Sequence, residues 1–488
     1  MKRAALVAVD LGAESCRVSL LRWIGGSPEI RVVHRFSNAP LRRENALRWD
    51  IERIVQGVME GLCVCAAIAD EGIDAIGVDG WAVDYVRIGP DGRVLGNPFC
   101  YRDERTVTAE KQVQELISPE KLYGLTGIQF LRFNTIYQLY ADRQNGIDPS
   151  APWINIPEYV TYRLGGRRVA EYTNATHTQL VGLDSRDWCA EIFDRSGLDR
   201  TAAPPIVDPG SIVGRLTGPL AELPALSNTR LIVPACHDTA SAIAGIPAEG
   251  DDWAFISSGT WSLVGTTLDR PRAGSEAFRK NFTNLGGAGG KICFLKNVNG
   301  MWLLQQCLES WKEEGCNSTI PEMIHRCARL APPDSLLDVD DPDLLLPGNM
   351  PAKFNAQFAR RKVKPLPSND SARIEIANLI LHSLAARYAE VLDDVRAITG
   401  KAIRKLYIVG GGSKNTLLNR LTGERTGLHI ITGAVESSTI GNFAVQLATL
   451  DAASRVPSGS SSSAITAWAR VLASSLRAES EAAAPLLA

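Results

Sequence analysis

The chain has 488 residues, 45% of them hydrophobic and 22% charged, with a formal net charge of −2. That length exceeds one ordinary hydrophobic core, so two large domains of a soluble globular protein are expected. The near-neutral balance excludes the basic footprint that nucleic acid or an anionic membrane surface would need, and neither is an expected partner. No apolar run approaches a membrane span. The opening MKRAALVAVDLG is broken by Asp10 and is not expected to be a secretory leader. Ten cysteines with no C-x-x-C pair do not form a disulfide framework. Cys63 and Cys65, inside a helical pattern, read as buried thiols, so a reducing cytoplasm is the expected compartment.

In chain order, Ala4 to Asp10 and Cys16 to Trp23 read as strands around a tight turn, with a third strand at Ile30 to Phe36. Leu6-Val7-Ala8-Val9 suits a strand buried on both faces. A helix over Ile51 to Ala69 and a strand over Ile73 to Val78 follow, the alternation of an α/β domain. Near the middle the same device returns: Trp253 to Ile256 as a strand, Ser257-Ser258-Gly259-Thr260 as a polar turn, and Trp261 to Leu268 as the returning strand. The repetition predicts two α/β domains of similar build around a central cleft, residues 1–245 and 246–488, with the boundary at 244–251. Ala377, Ile380, Leu381, Leu384, Tyr388, Val391, Leu392 and Val395 share one stripe of a helix over Ser371 to Thr399, capped by Asp370 or Ser371 and closed by Gly400. Lys405 to Val409 then reads as a strand and Gly410-Gly411-Gly412 as its turn into a helix. Pro457 to Ser463 reads as a flexible connector, and the end from Glu479 onward is expected to fray.

Four places carry chemistry. A strand ending in Asp10, followed by Gly12-Ala13-Glu14-Ser15-Cys16-Arg17, can bring backbone N–H groups and a hydroxyl to a phosphate; an ordinary hairpin with a polar tip fits the same residues. Ser257 to Thr260 carries the same two readings. Gly410 to Gly412 lets backbone approach a flat ligand such as a base or ribose, or is a structural turn. It is neither G-x-G-x-x-G nor G-x-x-x-x-G-K-[ST]. Asp238, in Cys236-His237-Asp238-Thr239, follows an oily strand and opens a helix. It is either an N-cap or a general base that takes the proton of a substrate hydroxyl as that hydroxyl attacks phosphorus. His237 and Thr239 would grip neighbouring hydroxyls. No G-x-S-x-G elbow supports a hydrolase, and the six histidines offer no close metal-ligand pair.

Taken in this order, these stretches resemble the FGGY family of carbohydrate kinases. The resemblance is carried by VAVDLGAESCRVSL, GVDGWAVDY, YRDERT, GIQFLRFNTIYQL, EYTNATHTQL, CHDTASA, SSGTWSLVG, LKNVNGMWLLQ, IVGGGSKNTLLN and VESSTIGN, and spans nearly all of the chain. It implies two actin/hexokinase-like (ribonuclease H-like) α/β domains, the first mainly binding sugar and the second mainly ATP. The implied activity is ATP-dependent phosphorylation of a ketose, L-rhamnulose first, with L-fuculose or L-ribulose as neighbouring substrates. A non-catalytic sugar or nucleotide sensor of the same fold is the alternative outside the enzymes. By residue, the resemblance makes Asp238 the catalytic base, and Ala82, His237, Asp238 and Thr239 sugar contacts. It assigns ATP contacts to Ala13, Glu14, Ser15, Cys16, Arg17, Thr260, Asn297, Gln305 and Gly411, and makes Asp10 the acidic residue near Mg²⁺. The family turn usually reads A-S-S-G-R, so Glu14 and Cys16 replace Ser and Gly. Ala82 replaces a sugar-contacting Gly, Cys236 a Ser, and Glu158 an Asp. Monomer and dimer both remain open.

Overall fold

The computed structural model describes residues 3–43, 45–366, 372–453 and 461–483. It divides into two compact units that alternate along the sequence. The first comprises Met1–Ala248, Thr267–Cys293 and Ser437–Ala488, and the second Glu249–Thr266 and Phe294–Glu436. The first passage between them falls within the stretch 244–251 singled out by the sequence, and the chain then crosses again after 266, 293 and 436.

In the first unit, β1 (Ala5–Leu11), β2 (Ser15–Ile24) and β3 (Ser27–Ser37) form an antiparallel meander. Helix α1 (Ile51–Ile68) then leads to β4 (Ile73–Gly80), which pairs parallel to β1. β5 (Ile212–Arg215) and β6 (Arg230–Ile232) complete a six-stranded sheet of order β5-β6-β4-β1-β2-β3. Every residue of β1 is buried, as its uninterrupted apolar run requires of a strand covered on both faces. Val7 and Val9 join one core with Val55, Val58 and Leu62 of α1. Ala8 lies in register with Gly77 of β4 and so shares the opposite face. There the absent side chain at Gly77 leaves room for Asn442 and Gln446. Asp50 caps α1 by accepting from the Arg53 N–H at 3.2 Å. One expectation fails on this helix: Cys65 is buried but Cys63 is exposed, since residues two apart on a helix face different directions.

The segment that follows β6 and carries Cys236 runs into α2 (Asp238–Ala244), and His237, not Asp238, occupies the N-cap. The capping role for Asp238 is therefore excluded; its carboxylate sits in the first turn. Helix α2 lies against the helix Ser437–Ala453 with no room between backbones. A β-carbon on Gly441 would stand 1.8 Å from the Ser241 carbonyl oxygen, and one on Gly245 would stand 2.4 Å from that of Ser437.

In the second unit, β7 (Trp253–Ser258) and β8 (Trp261–Leu268) are antiparallel. Ser257 and Ser258 thus belong to the strand, and the polar turn contracts to Gly259-Thr260. With β9 (Ile292–Asn299), β10 (Lys405–Val409) and β11 (His429–Thr432), the strands in this unit run β9-β8-β7-β10-β11, with β10 parallel to β7 as β4 is to β1. The long helix Ala372–Thr399 ends at Gly400, whose φ of 71° is the left-handed closure read from the sequence. Its expected caps, Asp370 and Ser371, lie outside the described residues, as do 457–460 of the expected connector and 484–488 of the expected frayed end. Ser462 and Ser463 are already helical, and the helix Ser462–Ala483 extends past Glu479. Among the described residues no helix is long and apolar enough to cross a membrane.

Because a methyl at position 441 meets main chain and not a movable side chain, Gly441→Ala is expected to lower stability by about 1–3 kcal/mol, the usual range for overpacking. A denaturant midpoint lowered at unchanged slope is the check.

Candidate active site

In the first unit the candidate groups gather where three chain segments reach the same end of the sheet. Asp10, one residue before the end of β1, is in register with Asp79 of β4 and opposite Arg17 of β2. Gly80 bridges to His237, and its N–H donates to the Cys236 carbonyl at 2.9 Å. Asp238 therefore follows directly beside the end of β4. The Asp10 carboxylate is 4% exposed, and its Oδ2 accepts from the Arg17 guanidinium at 3.0 Å and from Ser438 Oγ at 2.8 Å. Asp79 is fully buried; its Oδ2 accepts from Asn442 Nδ2 at 2.6 Å, while Oδ1 has no hydrogen-bond partner among the described residues.

Electrostatics follow from this crowding. Burial first, and the Asp10 charge second, push the Asp79 carboxyl well above the usual carboxylate range, against the pull of Asn442 and Arg17. The same two causes raise Asp238 to about 7. Its side chain keeps 36% exposure, so water moderates that rise. Asp238 Oδ1 accepts from Thr239 Oγ1 at 3.2 Å and lies 3.3 Å from His237 Nε2. His237 packs edge-on against His177, with ring centroids 4.1 Å apart. Burial holds both imidazoles neutral, taking His177 down to about 3 and His237 well below its ordinary value.

Ala82 is buried in the turn after β4, next to Val83, whose φ of 71° is unusual for a β-branched residue. The strain is held from outside. The Val83 carbonyl accepts from Thr135 Oγ1 at 2.8 Å and Gln138 Nε2 at 3.2 Å. The Asp84 carboxylate ties the indole N–H groups of Trp49 and Trp81 at 2.6 and 3.0 Å. On the phosphate-type turn, Ala13 packs on the core and Glu14 is exposed. Ser15 Oγ accepts from Arg35 at 3.3 Å. Cys16 is buried, with a thiol pushed to about 12 chiefly by burial. Cys16 therefore supports the turn from beneath, and no thiolate forms there near neutral pH.

The second unit brings the other expected residues to one end of its sheet. Thr260 lies in the hairpin of β7 and β8, and the carbonyls of Gly259 and Thr260 accept from the Met301 and Trp302 N–H groups at 3.2 and 3.3 Å. That fixes the helix Trp302–Glu313, which carries Gln305; its Oε1 is buried with no partner among the described residues. Asn297 lies on β9. Gly411 and Gly412 differ sharply. A β-carbon at Gly411 would meet nothing within 4 Å, whereas one at Gly412 would stand 2.0 Å from Ser258 Oγ. Between Gly410 and the helix Thr416–Thr426 the chain makes one tight helical turn, Gly411–Lys414, and Asn415 caps the helix through the Leu418 N–H at 3.0 Å.

The reading by residue type missed Asp79, His177, Glu171, Ser438 and Asn442. Asp79 carried a signal: like Asp10, it closes an apolar strand. Among the described residues no group of three or more His, Cys, Asp and Glu is arranged to hold a metal ion. Mg²⁺ needs no such group, because it keeps several waters and takes one or two carboxylates plus nucleotide phosphates. Asp10, deep among carboxyl groups with one guanidinium, fits that requirement.

Comparisons with known proteins give the family and the fold. Residues 5–245 match the N-terminal domain, and 254–450 the C-terminal domain, of the FGGY family of carbohydrate kinases. The chain belongs to that family of ATP-dependent phosphotransferases, and its two-domain α/β fold is of the actin/hexokinase-like type. Among solved structures it is similar to ligand-bound xylulose kinase from Lactobacillus acidophilus, at 17% identity and a TM-score of 0.75, over 92% of this chain and 89% of that one. Gluconate kinase from Lactobacillus acidophilus gives 16% and 0.73, with the same coverage. Plasmodium falciparum glycerol kinase with ADP gives 14% and 0.73, over 96% and 92%.

The contrast between neighbouring glycines is testable. Gly411→Ala is expected to leave the thermal midpoint unchanged, while Gly412→Ala, which must displace Ser258, loses about 1–3 kcal/mol. Calorimetric scans of the two variants side by side check this.

Proposed function

We propose that the protein is a rhamnulokinase, transferring the γ-phosphoryl group of ATP to O1 of L-rhamnulose to give L-rhamnulose 1-phosphate and ADP. One observation carries the kinase chemistry: Asp238 opens α2 beside the buried pair Asp10 and Asp79, and its carboxyl is raised to about 7. A sugar hydroxyl is too weak an acid to ionise first, so a base matters only as the O–P bond forms, and a base with a pKa near the working pH is the effective one. Asp238 would accept that proton, while His237 as a neutral imidazole and Thr239 orient sugar hydroxyls. Ala82 would border the sugar from the turn after β4. The choice of L-rhamnulose is supported by the long segments quoted above, such as EYTNATHTQL and LKNVNGMWLLQ, because similarity to xylulose, gluconate and glycerol kinases at this identity speaks for the fold alone.

For the nucleotide, Ala13 to Arg17 and Thr260 are assigned to phosphates, Asn297 and Gln305 to further contacts, and Gly411 to the adenosine. The open space at Gly411 and the unpartnered Gln305 Oε1 support those assignments. Mg²⁺ held near Asp10 with the phosphates would neutralise their charge. Phosphoryl transfer asks the protein chiefly for positioning and charge neutralisation, which these residues supply. All ten cysteines are unpaired, which supports a reducing cytoplasm as the site of action.

Ala82 and Cys236, which depart from the family's Gly and Ser, favour a neighbouring ketose as the second reading. A coupled ADP assay with L-rhamnulose, L-fuculose and L-ribulose decides: the highest kcat/KM on L-rhamnulose is expected. Tight ATP binding without sugar-dependent ADP release would instead mark a sensor. Asp238→Asn is expected to lower turnover about 10²-fold or more with both substrate affinities within a few fold. Since a base acts unprotonated and the Asp238 pKa is raised, wild-type kcat/KM for the sugar should rise with pH through about 7 and level off above; the variant should lack that limb. Ala82→Gly should shift the sugar KM more than the ATP KM, and an equal shift in both would point to lost packing.

A further inference from the structure

The backbone that carries Asp238 is held by side chains from another part of the first unit. The Cys236 N–H donates to Glu171 Oε2 at 2.7 Å, and the His237 N–H donates to Thr173 Oγ1 at 3.2 Å. The two acceptors are themselves coupled, with Thr173 Oγ1 donating to Glu171 Oε2 at 2.5 Å and the Thr173 N–H to Glu171 Oε1 at 2.9 Å. Both residues are completely buried. Behind them the wholly buried Glu158 accepts from the Glu171 N–H at 3.1 Å and from Asn174 Nδ2 at 2.9 Å. From the same segment, the His177 ring closes against His237. So two consecutive main-chain N–H groups, in the irregular stretch between β6 and α2, take side chains as partners in place of a strand neighbour.

Such an arrangement is costly unless its placement matters. Burial lifts Glu171 to about 8 and Glu158 to about 7, so two acidic groups are kept in a poor medium for charge. Apolar residues would fill the same space but leave the N–H groups of 236 and 237 unpaired.

We propose that Glu171 and Thr173 are positioning residues that latch the main chain of Cys236 and His237, and so fix where the Asp238 carboxylate meets the attacking hydroxyl. The kinetic part of this inference rests on the kinase reading; the latch itself does not. Removal of Glu171 endangers folding, so the decisive variants are at Thr173. Thr173→Val keeps the shape but offers no oxygen to the His237 N–H, whereas Thr173→Ser keeps the oxygen.

Two measurements are paired. In hydrogen–deuterium exchange, the ligand-free peptide spanning 233–240 should exchange faster in Thr173→Val than in wild type, and Thr173→Ser should restore protection. In steady-state assays, Thr173→Val should lower kcat about tenfold or more, the scale of effect expected when a catalytic group is misplaced, with the ATP KM within about twofold and the serine variant near wild type. Unchanged exchange in the valine variant overturns the latch. Faster exchange with undiminished kcat overturns the positioning role. A wild-type protein with no sugar-dependent turnover overturns the kinase reading and the positioning role with it, while the exchange result still judges the latch.

Discussion

Three carboxyl groups crowd one end of a parallel pair of strands, and the Arg17 guanidinium stands among them. Asp10 and Asp79 face each other across β1 and β4, Asp238 follows beside them, and Arg17 pairs with Asp10 at 3.0 Å. Like charges that close, and that buried, cannot all persist. The protein resolves the conflict with polar partners that carry no charge: Ser438 for Asp10 and Asn442 for Asp79. Asp79 responds by favouring its protonated form, and Asp238 is left poised between forms near neutrality. The raised Asp238 carboxyl thus arises from burial first and from the charge of Asp10 second.

Close main-chain approach makes those partners available. Ser438 and Asn442 reach β1 and β4 because Gly441 and Gly245 let two helices touch backbone to backbone. Gly77 leaves the sheet surface low enough for Asn442 to enter. Steric economy at three glycines therefore sits upstream of the electrostatics. The second unit repeats the logic in miniature, where Gly412 yields space to Ser258 at the end of β7.

Much of this could be read from sequence for a definite reason. Apolar runs that end in Asp10 or Ile232 declare buried parallel strands, and the hairpins at 5–24 and 253–268 declare themselves as paired strand-like stretches around a Gly-containing turn of small polar residues. Asp238 was legible as a functional candidate because a carboxylate at such a strand end needs an explanation. Its capping alternative could be dismissed only by geometry, since the difference between first-turn and cap positions is one residue. Long-range partnerships were not legible at all. Ser438 and Asp10 are 428 positions apart, and no local pattern reports that the last segment of the chain returns to the first unit. Nor does a valine announce a left-handed turn: at Val83 local preference argues against the observed φ, and only the grip of Thr135 and Gln138 on its carbonyl accounts for it.

The same charge balance constrains how the first turn can treat a phosphate. Arg17, the basic residue that the family motif places there, is already engaged by Asp10, and Glu14 adds a negative charge at the exposed tip. Under the proposed phosphate role, the turn's attraction would come from its backbone N–H dipoles, from Ser15, and from Arg35, which the strand register sets directly across from Arg17. Dipoles fixed by a tight hairpin need no reorganisation when negative charge arrives, and they do not compete with Asp10 for a partner. A glutamate in such a turn is tolerable on one condition, that its side chain stays in water while its main chain serves the turn. Glu14 meets it: exposed at the tip, it turns its carbonyl to the Asn38 N–H at 2.9 Å.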